Sequence, residues 1–450
     1  MRRRTLVAMT AAMALVLAAC GDDDDDPQAS QAPGTDPAPV TTGPPVTTVG
    51  PQTTAAPVTT AAPVTTAAPD TTAGPATTGA AGTTAPSGNV PEGAPTELGE
   101  GEGEVNLIAW AGYVEDGSTD PAVDWVTPFE ESTGCTVNVR LGNSSDEMVQ
   151  LMQTGEYDGV SASGDATTRL IAGGEVAPVN VNLIPNYADV FDGLKLQEHN
   201  SVDGVPYGVP HGRGANLLVY NTEAFADDPP DSLSVMFEGG TPADGAISVY
   251  DSPIYIADAA LYLMATQPDL GITNPYSLDQ DQFDAAIALL EQQKELAGQY
   301  WALYTDQQAA LEGGTVLAGT TWQVIVNLAE ANGATIDAVK TVEGATGWSD
   351  TWMIHSEAAH PNCMYMWMDW IISPEANAAV AEWFGEAPSN ALSCGLTSEG
   401  HCETFHAEDE PYWEDVYYWT TATEECIDGR TDVTCVPYSE WVNAWNSLRS

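Results

Sequence analysis

The sequence predicts an open α/β fold large enough for two lobes. Three observations point there. From residue 104 onward, short apolar runs of strand length alternate with segments whose apolar residues recur at helical spacing. The opening order is β-α-β-α-β, which suits a sheet with helices packed on its faces. Residues 103–450 supply enough chain for two lobes, each with its own core.

The N-terminus is not part of that fold. Arg2, Arg3 and Arg4 precede an apolar stretch over residues 6–19. Its length and small-residue ending fit a secretory signal, not a spanning helix. Leu17-Ala18-Ala19-Cys20 resembles a bacterial lipobox. The resemblance implies removal of residues 1–19, acylation of Cys20 and a position on the outer face of the cell membrane. Residues 22–26 are five aspartates, and a Pro/Thr/Ala tract with repeats such as Thr59-Thr60-Ala61-Ala62-Pro63 follows. Such a tract has little to bury and cannot offset its ordering entropy. Residues 20–102 are therefore expected to be a disordered stalk. Proline-biased chain rises ~3.1 Å per residue, so the stalk could reach on the order of 200 Å. Its threonines offer hydroxyls for glycosylation.

In the folded part, residues 105–110 read as a buried strand. Asp120-Pro121 opens a helix with Ala122, Trp125, Val126 and Phe129 on one face, and Gly134 ends it. Residues 135–141 alternate as a strand. Ser144 and Glu147 form a capping-box pattern before a helix bearing Met148, Leu151 and Met152. Residues 157–163 are a third strand, with a helix near Thr168. Ligands of such sheets bind at the carboxyl ends of strands. Residues 205–209 and 217–220 read as strands flanking a crossover. Residues 246–251 form a strand leading into a helix over 253–265. Residues 281–299 read as one amphipathic helix, and 315–322 as a strand. Ser373-Pro374-Glu375 is an N-cap, an N1 proline and a first-turn acid. Met364, Trp367, Met368 and Ile371 form a core stripe.

Charge and cysteines narrow the function. Lys plus Arg is 11 and Asp plus Glu is 65, a net −54 that excludes nucleic acid as a partner and disfavours anionic lipid surfaces. It suits a cationic ligand, although solubility alone could account for much of it. Six cysteines remain after Cys20: Cys135, Cys363, Cys394, Cys402, Cys426 and Cys435. In an exported chain they read as disulfides, with Cys394–Cys402 and Cys426–Cys435 plausible local bridges. A metal site at Cys394, His401, Cys402 and His406 fits no standard zinc spacing, so no metal and no cofactor is expected.

Several blocks, in order, resemble the periplasmic solute-binding proteins of spermidine/putrescine ABC importers. They are Leu107-Ile108-Ala109-Trp110-Ala111-Gly112-Tyr113-Val114, Gly155-Glu156-Tyr157-Asp158-Gly159-Val160 with Ser163, Val205-Pro206-Tyr207-Gly208-Val209-Pro210, Trp348-Ser349-Asp350 and Gly385-Glu386-Ala387-Pro388. The resemblance spans residues 104–449. It implies a two-lobed (type II-like) binding-protein fold with two crossings, a cleft that closes on the ligand, docking on a membrane permease, and no chemistry. It divides the chain into one lobe over 103–214 with about 349–392 and another over 215–348 with about 393–450. A monomer is expected.

The resemblance also implies ligand-binding positions. Buried ammonium groups need carboxylates, and aromatic faces attract cations by about 0.5–2 kcal/mol. Asp251 and Asp350 fall at amine-holding positions, Trp110, Tyr113, Trp322 and Trp348 at aromatic cleft positions, and Ser163 at a hydroxyl position. The plainer readings are core packing for the tryptophans and helix capping for Asp251. Three positions depart from the family: its second acid is Ile254 here, one aromatic is Asp165, and a late tyrosine is Glu386. Moved acids suggest a cation with different amine spacing. Arg213, beside a crossing, suits a carboxylate clamp for a zwitterionic, amino-acid-like ligand, or a structural salt bridge. From other classes, an extracellular hydrolase could use Asp251 and Asp350 as paired carboxylates, but the chain lacks Gly-x-Ser-x-Gly, His-Glu-x-x-His and a phosphate loop. A surface interaction module would need a protein partner.

Overall fold

The alternation of strands and helices produces two five-stranded sheets of the same plan. The computed structural model describes residues 90–450. The signal, Cys20 and nearly all of the stalk lie outside the described residues. In chain order the strands are β1 (Glu104–Ala109), β2 (Thr136–Leu141), β3 (Gly159–Ala162), β4 (Ser201–Val202), β5 (Val205–Pro206), β6 (Gly208–Pro210), β7 (Gly212–Ala215), β8 (Leu217–Asn221), β9 (Ile247–Tyr250), β10 (Ala297–Trp301), β11 (Ala318–Thr321), β12 (Ile336–Val339), β13 (Ala345–Trp348), β14 (Thr351–Ile354), β15 (Ala387–Pro388) and β16 (Val416–Tyr418).

The first sheet has the order β2-β1-β3-β14-β6 and the second β10-β9-β11-β8-β12. In each, three parallel strands are followed by one that runs antiparallel to both its neighbours: β14 in the first, β8 in the second. A small sheet, β15-β7-β13-β16, lies between them. The chain leaves the first sheet through β6, β7 and β8 and returns through β13 and β14. The antiparallel pair β7–β13 forms the centre of the crossing. Two crossings were implied; the chain makes a third passage after β15. Its terminal helix, Tyr438–Leu448, packs against the helices Pro253–Tyr255 and Gln280–Gln293 of the second sheet.

Each sheet has its own core. On the first, Val105, Leu107 and Ala109 pack with Trp352 and the helix Pro361–Ile371. The stripe Met364, Trp367, Met368 and Ile371 is fully buried there, as its spacing predicts. On the second, Ile247 and Val249 pack against the apolar helix Ile256–Thr266. Disulfides join Cys394 to Cys402 and Cys426 to Cys435, and the third joins Cys135 to Cys363. Among the described residues no group of histidine, cysteine and acid side chains is arranged to hold a metal.

Several boundaries differ from expectation. The first helix is Val126–Thr133, not a helix opened at Pro121. Asp120 instead holds a turn through the amides of Ala122 and Val123, and Asp124 takes the Thr127 amide at the true start. The predicted helix over 281–299 ends at Gln293. Residues 297–301 become β10, because pairing with β9 outweighs local helix preference. The capping box at Ser144 is half formed. Its hydroxyl accepts the Glu147 amide, while the Glu147 carboxylate turns to Asn143. Ser373 caps Pro374–Phe384 as expected.

Candidate functional site

The carboxyl ends of β3 and β13 bring the site together. The third strand of the first sheet ends at Ala162, and the helix Gly164–Gly173 begins at once. Ser163 occupies its N-cap with no capping bond. Its hydroxyl donates instead to Asp350 Oδ1 at 2.6 Å. Asp350 lies on the return crossing between β13 and β14. The Tyr113 hydroxyl lies 2.8 Å from Asp350 Oδ2 and 3.2 Å from Glu386 Oε2. Glu386, between the helix Pro374–Phe384 and β15, is fully buried, and its Oε1 is 3.3 Å from His211 Nε2.

Burial dominates the electrostatics. It pushes Asp350 up to about 6 against the lowering influence of Ser163 and Tyr113, with Asp165 adding to the rise. Asp165, in the first turn after Ser163, is likewise pushed by burial to about 6, opposed by the Ser145 hydroxyl 2.9 Å away. Burial, reinforced by Asp350, holds Glu386 well above the usual carboxylate range. It also lowers His211 to about 3. The buried acids Asp350 and Glu386 have no lysine or arginine partner among the described residues.

The second sheet contributes the aromatic wall. Trp322 occupies the position after β11 that Ser163 occupies after β3. Its Nε1 donates to Asn216 Oδ1 at 2.9 Å, and its ring meets Tyr250 and Trp301 edge-on. Tyr250 stacks on Trp419 at 5.8 Å. Trp348, on β13, lies edge-on to Phe384 and directly over Gly214, where any Cβ would enter its ring. Trp419 and Thr421 bridge to the acid side: the Thr421 hydroxyl donates to the Asp165 carbonyl at 2.5 Å. A Cβ on Gly164 would collide with the Trp419 carbonyl, so the two sides are in close contact here.

Of the residues expected from the sequence, Tyr113, Ser163, Asp350 and Glu386 form one hydrogen-bonded cluster, with Asp165 beside it. Trp348 and Trp322 stand nearby. Trp110 packs against the first core, half-buried, and makes no bond to the cluster. Asp251 is engaged elsewhere: Arg449 Nε lies 3.0 Å and Nη2 3.2 Å from its oxygens, and Trp445 donates at 3.0 Å. Ile254 is buried in the second core. Arg213 leaves the opposite face of β7. Gly212 and Gly214 abut Glu386 and Trp348, and side chains alternate along a strand. Arg213 binds Glu410 Oε1 at 2.7 Å and the Ala407 carbonyl, and lies over Trp413. It lines a cavity of about 440 Å³ with Glu198, Glu410 and Tyr418.

Sequence reasoning missed Asp258. It is buried, accepts from the Thr346 hydroxyl at 3.1 Å, and is pushed by burial to about 7. Thr346 in turn accepts from Asn216, the partner of Trp322. A lone acid inside Ile256-Ala257-Asp258-Ala259-Ala260-Leu261 was the available signal. His211 and Trp419 were also missed.

A curated putrescine/cadaverine-binding protein of Pseudomonas aeruginosa is 22% identical over 303 residues, covering 64% of this chain and 79% of that protein. The solved spermidine/putrescine ABC transporter substrate-binding protein of Streptococcus pneumoniae superposes with a TM-score of 0.61 at 17% identity, over 77% of this chain and 99% of that one. A solved GABA receptor gives 0.58 at 16% identity, over 77% and 98%. The likeness to these structures is one of fold, the two-lobed α/β arrangement described above. The family model described as bacterial extracellular solute-binding protein matches residues 124–393, and the chain belongs to that family.

Proposed function

We propose that this protein captures a small cationic solute of the polyamine class outside the cell and delivers it to the permease of an ATP-driven importer, with no chemistry on the solute. One observation carries the ligand class: Asp350, Asp165 and Asp258 are buried around an aromatic wall, and neither Asp350 nor Asp258 has a basic partner among the described residues. Buried carboxylates require compensating positive charge. An alkyl diamine supplies it at two points and offers methylenes to Trp348, Trp322 and Tyr250. The polyamine ligands named for the Pseudomonas and Streptococcus proteins agree with this chemistry. The protein would act as a monomer, tethered through acylated Cys20, with lobes over 103–214 and about 349–392, and over 215–348 and about 393–450.

Thermal unfolding of the full chain tests this. A ligand that binds only the folded state stabilises it by about 2.7 kcal/mol at one hundred times its Kd. Putrescine, cadaverine or spermidine should raise the melting temperature, and GABA should not. A shift with GABA alone would replace the diamine by a zwitterion and turn attention to Arg213. No shift with either would remove the small-solute reading.

A further inference from the structure

We propose that Glu386 is a neutral, protonated carboxyl that donates to the Tyr113 oxygen and so aims the Tyr113 hydroxyl at Asp350. It is then a positioning residue and not a charged contact for the solute. The inference rests on the reading of Asp350 as the acid that faces the solute.

Hydrogen-bond accounting carries it. Tyr113 has one proton and two carboxyl groups within reach, at 2.8 Å and 3.2 Å. It can donate to only one of them. Asp350 is the closer, and its second oxygen already receives Ser163 at 2.6 Å. The Ser163 bond lies in the range of about 2.5–2.7 Å of hydroxyls donating to an ionised carboxylate. Glu386 has no bond of that quality. If Tyr113 donates to Asp350, two oxygens face each other across 3.2 Å unless Glu386 carries the proton between them.

The other neighbour of Glu386 cannot supply a charge. Trp352 Nε1 lies 2.9 Å from His211 Nδ1. An indole N–H only donates, so Nδ1 must be unprotonated. The ring is therefore neutral, with its proton on Nε2, which lies 3.3 Å from Glu386 Oε1 without a hydrogen bond to it. No imidazolium is available to balance a Glu386 carboxylate. Both groups are fully buried. Of the other titratable groups, Asp350 opposes a second negative charge on Glu386, and His401 meets Glu386 through its backbone carbonyl at 2.9 Å, with burial holding the imidazole below its usual value.

The test uses infrared difference spectra of the full, ligand-free chain at neutral pH. Beyond the band of Asp258, itself raised to about 7, one further protonated-carboxyl stretch should disappear in Glu386→Gln and persist in Asp350→Asn. Persistence in Glu386→Gln, or loss in Asp350→Asn, would overturn the assignment. A second readout uses putrescine. Glu386→Ala should weaken binding about tenfold, and Glu386→Gln, which can also donate to Tyr113, should restore most of it. Glutamine performing as poorly as alanine would make Glu386 a charged contact. Should putrescine not bind at all, the polyamine reading fails, while the ligand-free spectra still decide the proton.

Discussion

The two sheets share a topology and differ where it matters. After its third parallel strand, the first sheet places Ser163-Gly164-Asp165; the second places Trp322-Gln323-Val324. The first half thus offers a hydroxyl and carboxyls, and the second offers aromatic surface. The same sheet-to-helix junction presents a hydroxyl and an acid once and an indole once. The difference teaches that the fold supplies positions and the side chains at those positions decide the ligand. The crossing segments mix the two: Asp350 follows Trp348 by two residues, and Glu386 and His211 pack behind them.

The largest expected effect comes from breaking the charged half. Asp350→Asn should lower putrescine affinity by a hundredfold or more, since losing one member of a buried charged pair costs about 2–5 kcal/mol. Calorimetric titration would measure it, and a loss below about threefold would move the charge contact elsewhere. Next comes the aromatic half. Trp348→Ala should cost about tenfold to a hundredfold in affinity through lost stacking and cation–π contact. If it matched or exceeded Asp350→Asn, shape would outrank charge.

The third prediction concerns pH. Asp350 and Asp165 are raised to about 6 and Asp258 to about 7 in the folded state. A raised carboxyl favours the protonated folded form. Its stabilising influence is complete below the unfolded value near 4 and is lost as pH rises through 6 to 7. Ligand-free wild type should therefore lose stability relative to Asp350→Asn between pH 4 and 7, by on the order of 2 kcal/mol. Diamine affinity should rise over the same interval, because the ammonium groups stay charged while the acids ionise. Denaturant titrations at several pH values test the first trend and calorimetry the second. The smallest effect is expected at Asp251. Its pairing with Arg449 is partly exposed, so Asp251→Ala should cost about 0.2–1 kcal/mol of stability. An affinity loss equal to that of Asp350→Asn would return Asp251 to the site.

Much of this was legible in the chain itself. Strand and helix periodicity located β1, β2, β3, β8, β9 and β11, since burial of one face imposes a period on the sequence, but did not mark β10, β12 or β14 as strands. The order of blocks named Ser163, Tyr113 and Asp350, which the fold brings into one hydrogen-bonded cluster. Asp251 was misleading because its partner, Arg449, is 198 residues away. Asp258 was overlooked because its apolar helix reads as core, which it also is. The helix expected over 281–299 stopped early because Leu296 and Ala297 fit either period, and only the neighbouring β9 decided between them.

The sequence by itself determined the α/β class, the acidic balance and the local disulfides Cys394–Cys402 and Cys426–Cys435. These follow from composition, periodicity and short spacings, which need no knowledge of distant neighbours. Tertiary structure alone decided which acids are free, which face of β7 carries Arg213, and where the proton between Glu386, Tyr113 and Asp350 can sit. Those properties depend on what lies within about 3 Å of a side chain, and in a fold with three passages between sheets such neighbours come from remote parts of the chain.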